Sequence, residues 1–199
     1  ASNHKWEKFI FASSYLVYDP SLYTFRVGHS LQENDAICPR NIVGLSKYYT
    51  EGELEFIGQH TGLQCLSARI FRVYGRGSKD FISGAIRLAL RGEVVTVYDE
   101  GSRFDYIFAN DVAEGLIKLA ETHYDGVVNL AVGRSRCIAE ALEIIRRILP
   151  YDSLSTSHAE RTSFVPLENS RADVSLLKDL TGWTPTTPLG VGIRKVIEY

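Results

Sequence analysis

The chain has 199 residues, which is enough for one domain, or slightly more, with a real hydrophobic core. Hydrophobic residues make up 45% and charged residues 23% of it, the composition of an ordinary globular protein. Because the net charge is only −2, there is no electrostatic argument for nucleic acid or for an acidic membrane surface, and neither is an expected partner.

The sequence carries no sign of membrane insertion or export. Its apolar runs are too short to span a bilayer and no charged-then-apolar leader opens it, so we expect a cytoplasmic protein. Cys38, Cys65 and Cys137 form no CxxC pair, which predicts reduced, buried thiols. The histidines form no spaced pair, and no metal site is predicted.

The first predicted elements are a strand, a loop, a helix and a second strand. Residues 9–12 form a short apolar run typical of a strand buried on both faces of a parallel sheet. Residues 19–40 show no clear periodicity and predict a loop. Helical spacing runs from 41 to 60 and stops at Gly62, and residues 63–71 predict the next buried strand.

The second half of the chain keeps the same alternation. Asp111 and Ser135 are the predicted N-caps of the helices that follow them. Strands alternating with helices indicate an α/β protein with a parallel sheet. The predicted strands cover 94–97, 106–108 and 127–131, and the predicted helices cover 81–90, 112–121, 138–149, 173–180 and 189–197.

One expected signal of a dinucleotide-binding fold is absent from these residues. Such a domain begins with a strand, a glycine-rich turn and a helix whose N-terminus receives the pyrophosphate. Neither GxGxxG nor GxxGxxG occurs in the sequence. Gly75-Arg76-Gly77 follows a predicted strand but lacks the third glycine, which favours an ordinary loop.

Five stretches nevertheless occur in the order and spacing of one enzyme family. Together they resemble the NAD-dependent nucleotide-sugar epimerase/dehydratase branch of the extended short-chain dehydrogenase/reductase family. They are Ser13-Ser14-Tyr15-Leu16-Val17-Tyr18, Val43-Gly44-Leu45-Ser46-Lys47 with Glu51, Arg69-Ile70-Phe71-Arg72-Val73-Tyr74-Gly75, the run from Arg103 to Val112, and the pair Asn129-Leu130-Ala131 and Gly182-Trp183-Thr184-Pro185.

The resemblance implies a partial Rossmann-like parallel sheet with a smaller C-terminal α/β substrate-binding region. Residues 1–75 would be the C-terminal part of the Rossmann-like domain. Residues 76–199 would be mainly the substrate-binding region, with a strand and helix at about 104–122 returning to the first domain. We expect the glycine-rich nucleotide-binding half to be supplied by residues outside this sequence or by a partner chain.

The family's chemistry depends on three side chains. A tyrosine exchanges a proton with the substrate while hydride moves to or from the nicotinamide of NAD or NADP; a lysine lowers that tyrosine's pKa and holds the cofactor ribose; and a serine aligns the substrate oxygen. By resemblance the serine is Ser14 and the lysine is Lys47, but Val43 stands where the tyrosine belongs. Tyr48 and Tyr49 are rotated away from that direction on a helix.

The same resemblance suggests further contacts. Phe71 stands where the family places a residue beside the nicotinamide, although a core role explains it too. Arg72 replaces an asparagine that contacts substrate in many relatives, and Arg103 stands near the arginine that clamps the diphosphate of the nucleotide-sugar. Arg161 could reach the same phosphate or be an ordinary loop arginine.

Three functions stay open on these residues. The first is an NAD-dependent nucleotide-sugar epimerase, impaired by Val43; Tyr15 and Leu16 stand where dehydratases carry an acidic pair, which argues against a 4,6-dehydratase. The second is a non-catalytic relative that binds a nucleotide-sugar or a partner protein. The third is an interaction fragment of a larger enzyme. Relatives often pair through the lysine-bearing helix, which implies a homodimer.

Overall fold

The computed structural model describes residues 7–24, 28–150, 153–159 and 166–198. Within those residues the strands are β1 (Lys8–Ser14), β2 (Gln64–Ile70), β3 (Arg72–Tyr74), β4 (Val95–Val97), β5 (Arg103–Phe108), β6 (Gly126–Leu130), β7 (Ser135–Cys137), β8 (Thr156–His158) and β9 (Asn169–Ser170). The helices are α1 (Ser21–Thr24), α2 (Ile42–Thr61), α3 (Phe81–Leu90), α4 (Ala109–Ala120), α5 (Ile138–Ile148), α6 (Ser175–Thr181) and α7 (Leu189–Ile197), with a 3-10 turn at Tyr15–Val17.

The described strands form two main sheets and a small two-stranded one. β1, β2 and β6 form an all-parallel sheet in the order β1-β2-β6. In the second sheet β5 lies parallel to β3 and β9 and antiparallel to β7. Helices pack on these sheets, so the predicted α/β fold with a Rossmann-like parallel sheet is confirmed.

The two faces of β2 differ in character, and this difference assigns the helices to their places. Leu66 and Ala68 point into an apolar cluster with Val112 and Leu119 of α4. The alternate residues, among them Arg69, face α2 on the other side. The parallel sheet therefore lies between an apolar layer and a layer with a polar centre.

A buried ion pair fixes α2 against the sheet. The Arg69 guanidinium donates to both carboxylate oxygens of Glu51, with Nε to Oε1 at 3.1 Å and Nη2 to Oε2 at 2.7 Å. The Ser13 hydroxyl donates to the same carboxylate. Both charged side chains are less than a tenth exposed. Because the three groups belong to β1, α2 and β2, their mutual arrangement sets the register of the helix on the strands.

The same arginine ties a loop to this sheet. Arg69 Nη1 donates to the carbonyl of Glu33 at 3.0 Å, and its guanidinium lies 4.7 Å from the ring centre of Tyr18. The Tyr18 hydroxyl donates to the Asn129 side chain, whose amide nitrogen donates to the carbonyl of Leu31 at 2.9 Å. Leu31 and Glu33 of the predicted loop are thus anchored at the carboxyl ends of β6 and β2. The short helix α1 in this segment was not predicted.

Helices α3 and α7 have the predicted bounds, but two predicted caps are wrong. Asp111 lies inside the first turn of α4, and its carboxylate accepts hydrogen bonds from the backbone N–H and hydroxyl of Thr187. The helix begins earlier because it follows directly from β5. Ser135 begins β7, and the cap of α5 is Cys137, whose sulfur accepts from the N–H of Glu140 at 3.4 Å.

Burial of two segments also differs from expectation. Phe9 is 46% exposed, because among the described residues β1 pairs with β2 on one side only. Cys38 is exposed, Cys137 is half-buried and Cys65 is buried, so the prediction of three buried thiols holds for one of them. None of the helices in the described ranges is long and apolar enough to cross a membrane.

The predicted domain boundaries stay a prediction. α4 packs over the sheet that contains β1, in line with the predicted return of 104–122 to the first domain. β5, however, pairs with β3, β7 and β9 in the second sheet.

Replacing Glu51 with Gln tests the role of the buried ion pair. The change leaves the Arg69 guanidinium buried beside a neutral amide, and loss of one partner from a buried pair costs about 3–5 kcal/mol. We expect the free energy of unfolding, measured by urea titration with circular dichroism, to fall by about 3–5 kcal/mol. Glu53→Gln, on the exposed side of the same helix, is the control and should change it by less than about 0.5 kcal/mol. Equal effects of the two changes would contradict this role.

Candidate active site

The end of β1 and the start of α2 meet at one place. The Ser14 hydroxyl caps the 3-10 turn by accepting the N–H of Leu16 at 3.2 Å. Asn41 caps α2 through the N–H of Gly44, at 2.9 Å. A Cβ on Gly44 would lie 2.3 Å from the carbonyl oxygen of Leu16, so only glycine permits this contact between helix and turn. The first turn of α2 therefore packs against the turn that the half-buried Ser14 caps.

Lys47 reaches the same strand end. Its ammonium donates to the carbonyl of Ala12 at 2.8 Å and lies 4.7 Å from the ring centre of Phe11. An ammonium has three N–H donors, and this bond uses one of them. The structure thus brings Lys47 and Ser14, two of the three predicted chemical groups, to one strand.

Val43 occupies the third position, and it has no proton to exchange. Its side chain is 51% exposed on the first turn of α2. Tyr48 and Tyr49 line a groove between α2 and the sheet, together with Arg69 and Val127. That groove lies on the polar face of the sheet.

The tyrosines that follow Ser14 do not replace the missing phenol. Burial raises the pKa of Tyr15 far above its usual range, and the neighbouring Glu168 carboxylate raises it further. Burial also raises the pKa of Tyr18 to about 12. Both are neutral near pH 7, whereas a proton-exchanging tyrosine needs a lowered pKa.

The remaining predicted contacts lie further along the chain. Phe71 is buried and stacks on Tyr15, with ring centres 5.1 Å apart, which is a core environment; its predicted contact with a cofactor stays a prediction. Arg72 has its guanidinium 4.4 Å from the ring centre of Phe104 and 5.9 Å from that of Tyr15. Arg72 therefore lies near the residue that follows Ser14 in the chain.

Arg103 lies away from this group. Its guanidinium contacts the Glu140 carboxylate at 3.1 Å and donates to the carbonyl of Ser135 at 3.2 Å, at the edge formed by β5 and β7. The structure does not bring it to Ser14, and its role toward a diphosphate stays a prediction. Arg161 lies outside the described residues.

A polar cluster beside the site was not predicted. The Tyr15 hydroxyl donates to Glu168 Oε1 and Arg40 Nη1 donates to Glu168 Oε2, each at 2.8 Å. Tyr23 lies beneath Arg40, whose guanidinium is 5.5 Å from its ring centre. Arg40 and Glu168 are in loops far apart in sequence and follow no motif, so only the fold reveals that they meet.

A small cavity has Arg72 in its wall. We call it the aromatic cavity: it has a volume of about 180 Å³ and is lined by Arg72, Asp80, Phe81, Tyr98, Phe104 and Tyr106, with Thr96 and Ile138. Its walls come from β3, β5, the start of α3 and the end of β4. The cavity is partly open to solvent.

Residues 1–133 match the NAD dependent epimerase/dehydratase family. The chain belongs to this family. It is 31% identical over 150 residues to UDP-glucuronic acid decarboxylase 1 of Danio rerio, covering 69% of this chain and 34% of that protein. It is 29% identical over 204 residues to dTDP-4-dehydro-6-deoxyglucose reductase of Escherichia coli, covering 96% and 61%.

A solved structure agrees with the fold. The UDP-N-acetylglucosamine 4-epimerase of Methanobrevibacter ruminantium, in complex with UDP-N-acetylmuramic acid, superposes with a TM-score of 0.85 at 28% identity, covering 96% of this chain and 62% of the epimerase. The chain spans about a third to three fifths of the length of these relatives.

Replacing Gly44 with Ala tests how the site is assembled. The new Cβ would push the Leu16 carbonyl and the first turn of α2 apart, and overpacking of this kind costs about 1–3 kcal/mol. We expect a lower free energy of unfolding by that amount. The matched control is Gly52→Ala on the same helix, where the Cβ meets nothing within 4 Å; better helix propensity should stabilise it by about 0.5–1 kcal/mol. The stability of both variants is measured by thermal unfolding. A Gly44→Ala variant more stable than the unaltered chain would disprove the close packing.

Proposed function

We propose that this chain binds a nucleotide-sugar in the manner of an NAD-dependent epimerase of its family, and that its proton-transfer chemistry is impaired by Val43. The observation that carries the proposal is the site itself. Lys47 is bonded to the strand that ends in Ser14, while Val43, one turn before Lys47 on α2, is an exposed valine. The groups that orient ligands are kept, and the group that exchanges a proton is not.

The residues present fit part of a nicotinamide cofactor site. The Lys47 ammonium, bonded to the Ala12 carbonyl two residues before Ser14, would hold the ribose hydroxyls of NAD or NADP with its remaining N–H groups. When bound, that cofactor supplies a reversible hydride acceptor. The glycine-rich turn for its pyrophosphate is absent from the sequence. We propose that a nucleotide-binding half is contributed by other residues or by a partner chain, adjoining β1.

The reduction in reaction rate expected from a valine at position 43 can be estimated. A positioned acid or base contributes about 10²–10⁴-fold to a rate. Tyr15 and Tyr18 are buried neutral phenols, engaged with Glu168 and Asn129, and offer no substitute. Turnover of a nucleotide-sugar by the chain as it stands is therefore expected to be slower by this factor than in a relative with tyrosine.

A second candidate, a non-catalytic nucleotide-sugar or partner-binding protein, is favoured by the surface of α2. Ile42, Tyr49 and Phe56 are each more than three fifths exposed, which is unusual for large apolar side chains on one helix. We propose that this surface is covered in a homodimer or by a partner protein. The third candidate, an interaction fragment of a larger enzyme, would use the same surface.

Light scattering and small-angle X-ray scattering test the need for a covering partner. The chain alone has a mass of 22.3 kDa. We expect a particle of at least twice that mass, or tight association with a nucleotide-binding polypeptide. A compact monomer with no such association would contradict the proposed covering of α2 and β1.

Replacing Val43 with Tyr tests the proposed cause of impairment. With NAD and the proposed nucleotide-binding half present, we expect epimerisation of nucleotide-sugars to rise by about 10²-fold or more, because a phenol would stand one helical turn from Lys47. Val43→Phe is the matched control, since it adds the ring without the hydroxyl. Product formation by chromatography and bound NAD by mass spectrometry of the denatured protein are the measurements.

The outcomes separate the candidates. A gain confined to Val43→Tyr supports the epimerase-like function. Bound nucleotide-sugar without a gain in rate supports the non-catalytic binding protein. If the unaltered chain is as active as Val43→Tyr, the proposed role of Val43 is wrong. If no nucleotide-sugar binds, measured by calorimetry, the nucleotide-sugar proposal itself is wrong.

A further inference from the structure

The outer strands of the parallel sheet, β1 and β6, each have one edge that no described strand covers. In a parallel ladder the backbone groups of successive residues point alternately to the two sides of the strand. At the start of β1 the carbonyl of Glu7 accepts the N–H of Gln64, so the odd-numbered residues face β2. The even-numbered residues of β1, Ala12 among them, therefore direct their N–H and C=O groups to the open edge.

The open edge of β1 is occupied by the ammonium group of Lys47. Its Nζ lies 2.8 Å from the carbonyl oxygen of Ala12, an acceptor that the N–H of a neighbouring strand would otherwise use. The ring of Phe11, whose centre is 4.7 Å from the ammonium, holds the side chain there by a cation–π contact. Because Lys47 belongs to α2, the helix that packs on the face of the sheet also places a charge on its edge.

The opposite edge of the sheet carries a charged side chain too. The N–H of Phe71 donates to the carbonyl of Leu130, so Leu130 faces β2 and its neighbour Asn129 faces outward. The outward N–H of Asn129 donates to the Glu33 carboxylate at 2.9 Å. A cation thus meets a carbonyl at one edge and an anion meets an N–H at the other, so each charge matches the backbone group that it contacts.

An open edge on β1 favours association because the strand is apolar. After Lys8 it continues with Phe9, Ile10 and Phe11, and the side chain of Phe9 is 46% exposed. Exposed apolar edge strands pair with strands of other molecules, and natural proteins prevent this with charged side chains, lysine in particular. The Lys47 ammonium is a charge of this kind, delivered from a helix instead of from the strand itself.

We propose that Lys47 guards the β1 edge and prevents two copies of this chain from pairing through β1. In the longest antiparallel pairing of two β1 strands, Lys8 lies opposite Ser14, and the two Ala12 residues are about 7 Å apart along the strands. The two ammonium groups then lie within a Debye length, which is about 10 Å at 0.1 M salt. Pairing also removes water from both charges, which opposes the association.

The guard acts against self-pairing and not against every strand. An ammonium has three N–H groups, and the Ala12 carbonyl has two lone pairs. A strand of different sequence that brings an oxygen acceptor to Lys47 satisfies both groups, so the guard is compatible with a nucleotide-binding half beside β1. The inference concerns this chain alone and does not rest on the proposed function.

Sedimentation velocity of a Lys47→Met variant tests the guard. Methionine keeps an unbranched apolar stem and removes the charge and its donors. We expect Lys47→Met to form larger assemblies than the unaltered chain at the same concentration, with an association constant higher by about tenfold or more, because no charge has to be buried. Lys47→Arg keeps a cation at the edge and is the matched control, which should sediment like the unaltered chain.

Ala12→Pro identifies the edge through which the variant associates. Ala12 is exposed and its N–H points away from β2, so proline removes an edge donor without breaking the ladder. We expect Lys47→Met combined with Ala12→Pro to sediment like the unaltered chain. Hydrogen exchange reports the same edge: the amides of Ile10 and Ala12 should exchange rapidly in the unaltered chain and slowly in Lys47→Met, whereas the Phe11 amide, which faces β2, stays protected in both.

Three results would overturn the guard. They are a Lys47→Met variant that sediments like the unaltered chain, equal association of Lys47→Arg, and association of Lys47→Met that survives Ala12→Pro. If circular dichroism shows that Lys47→Met does not fold, the neutral Lys47→Gln takes its place with the same expected association. Pairing through α2 is common to all these proteins and cancels in the comparison. No result involves a nucleotide-sugar, so the proposed function stands or falls separately.

Discussion

The buried ion pair between Arg69 and Glu51 is the contact on which the rest of the arrangement depends. It joins the central strand of the parallel sheet to α2, and the Ser13 hydroxyl brings β1 into the same group. Two charges with side chains 5% and 7% exposed are costly to bury unless their geometry is good. Two hydrogen bonds between guanidinium and carboxylate, with a third donor from serine, provide that geometry and specify one position of the helix.

The site follows from this position of α2. Once the helix is held, Gly44 contacts the turn after Ser14 and Lys47 reaches the carbonyl of Ala12. These contacts are made by backbone atoms, a glycine and a lysine, none of which depends on the side chain at position 43. The packing of α2 on the strand that ends in Ser14 is therefore independent of the valine at position 43.

Much of the architecture could be predicted because it is encoded locally. The bounds of α3 and α7 follow from apolar spacing and from Gly92 and Pro188 at their ends, and the family motifs lie in the predicted order. The predicted N-cap role of Asp111 was wrong because its carboxylate bonds to Thr187, which is 76 residues away in the sequence. A local capping pattern cannot reveal such a long-range contact. Arg40, Glu168 and Asp80 were not predicted as neighbours of the site for the same reason. Their roles arise from loops and strand ends that meet only in the folded chain.

The tether between Lys47 and Ala12 has a consequence for affinity. A free lysine side chain loses about 2 kcal/mol of rotamer entropy when a ligand immobilises it. Here the side chain is already held by the strand carbonyl and the Phe11 ring before any ligand arrives. A diol or other acceptor that meets the two remaining N–H groups would find a cation whose ordering has taken place during folding. Under the proposed function, folding would thus supply a preorganised anchor for the ligand.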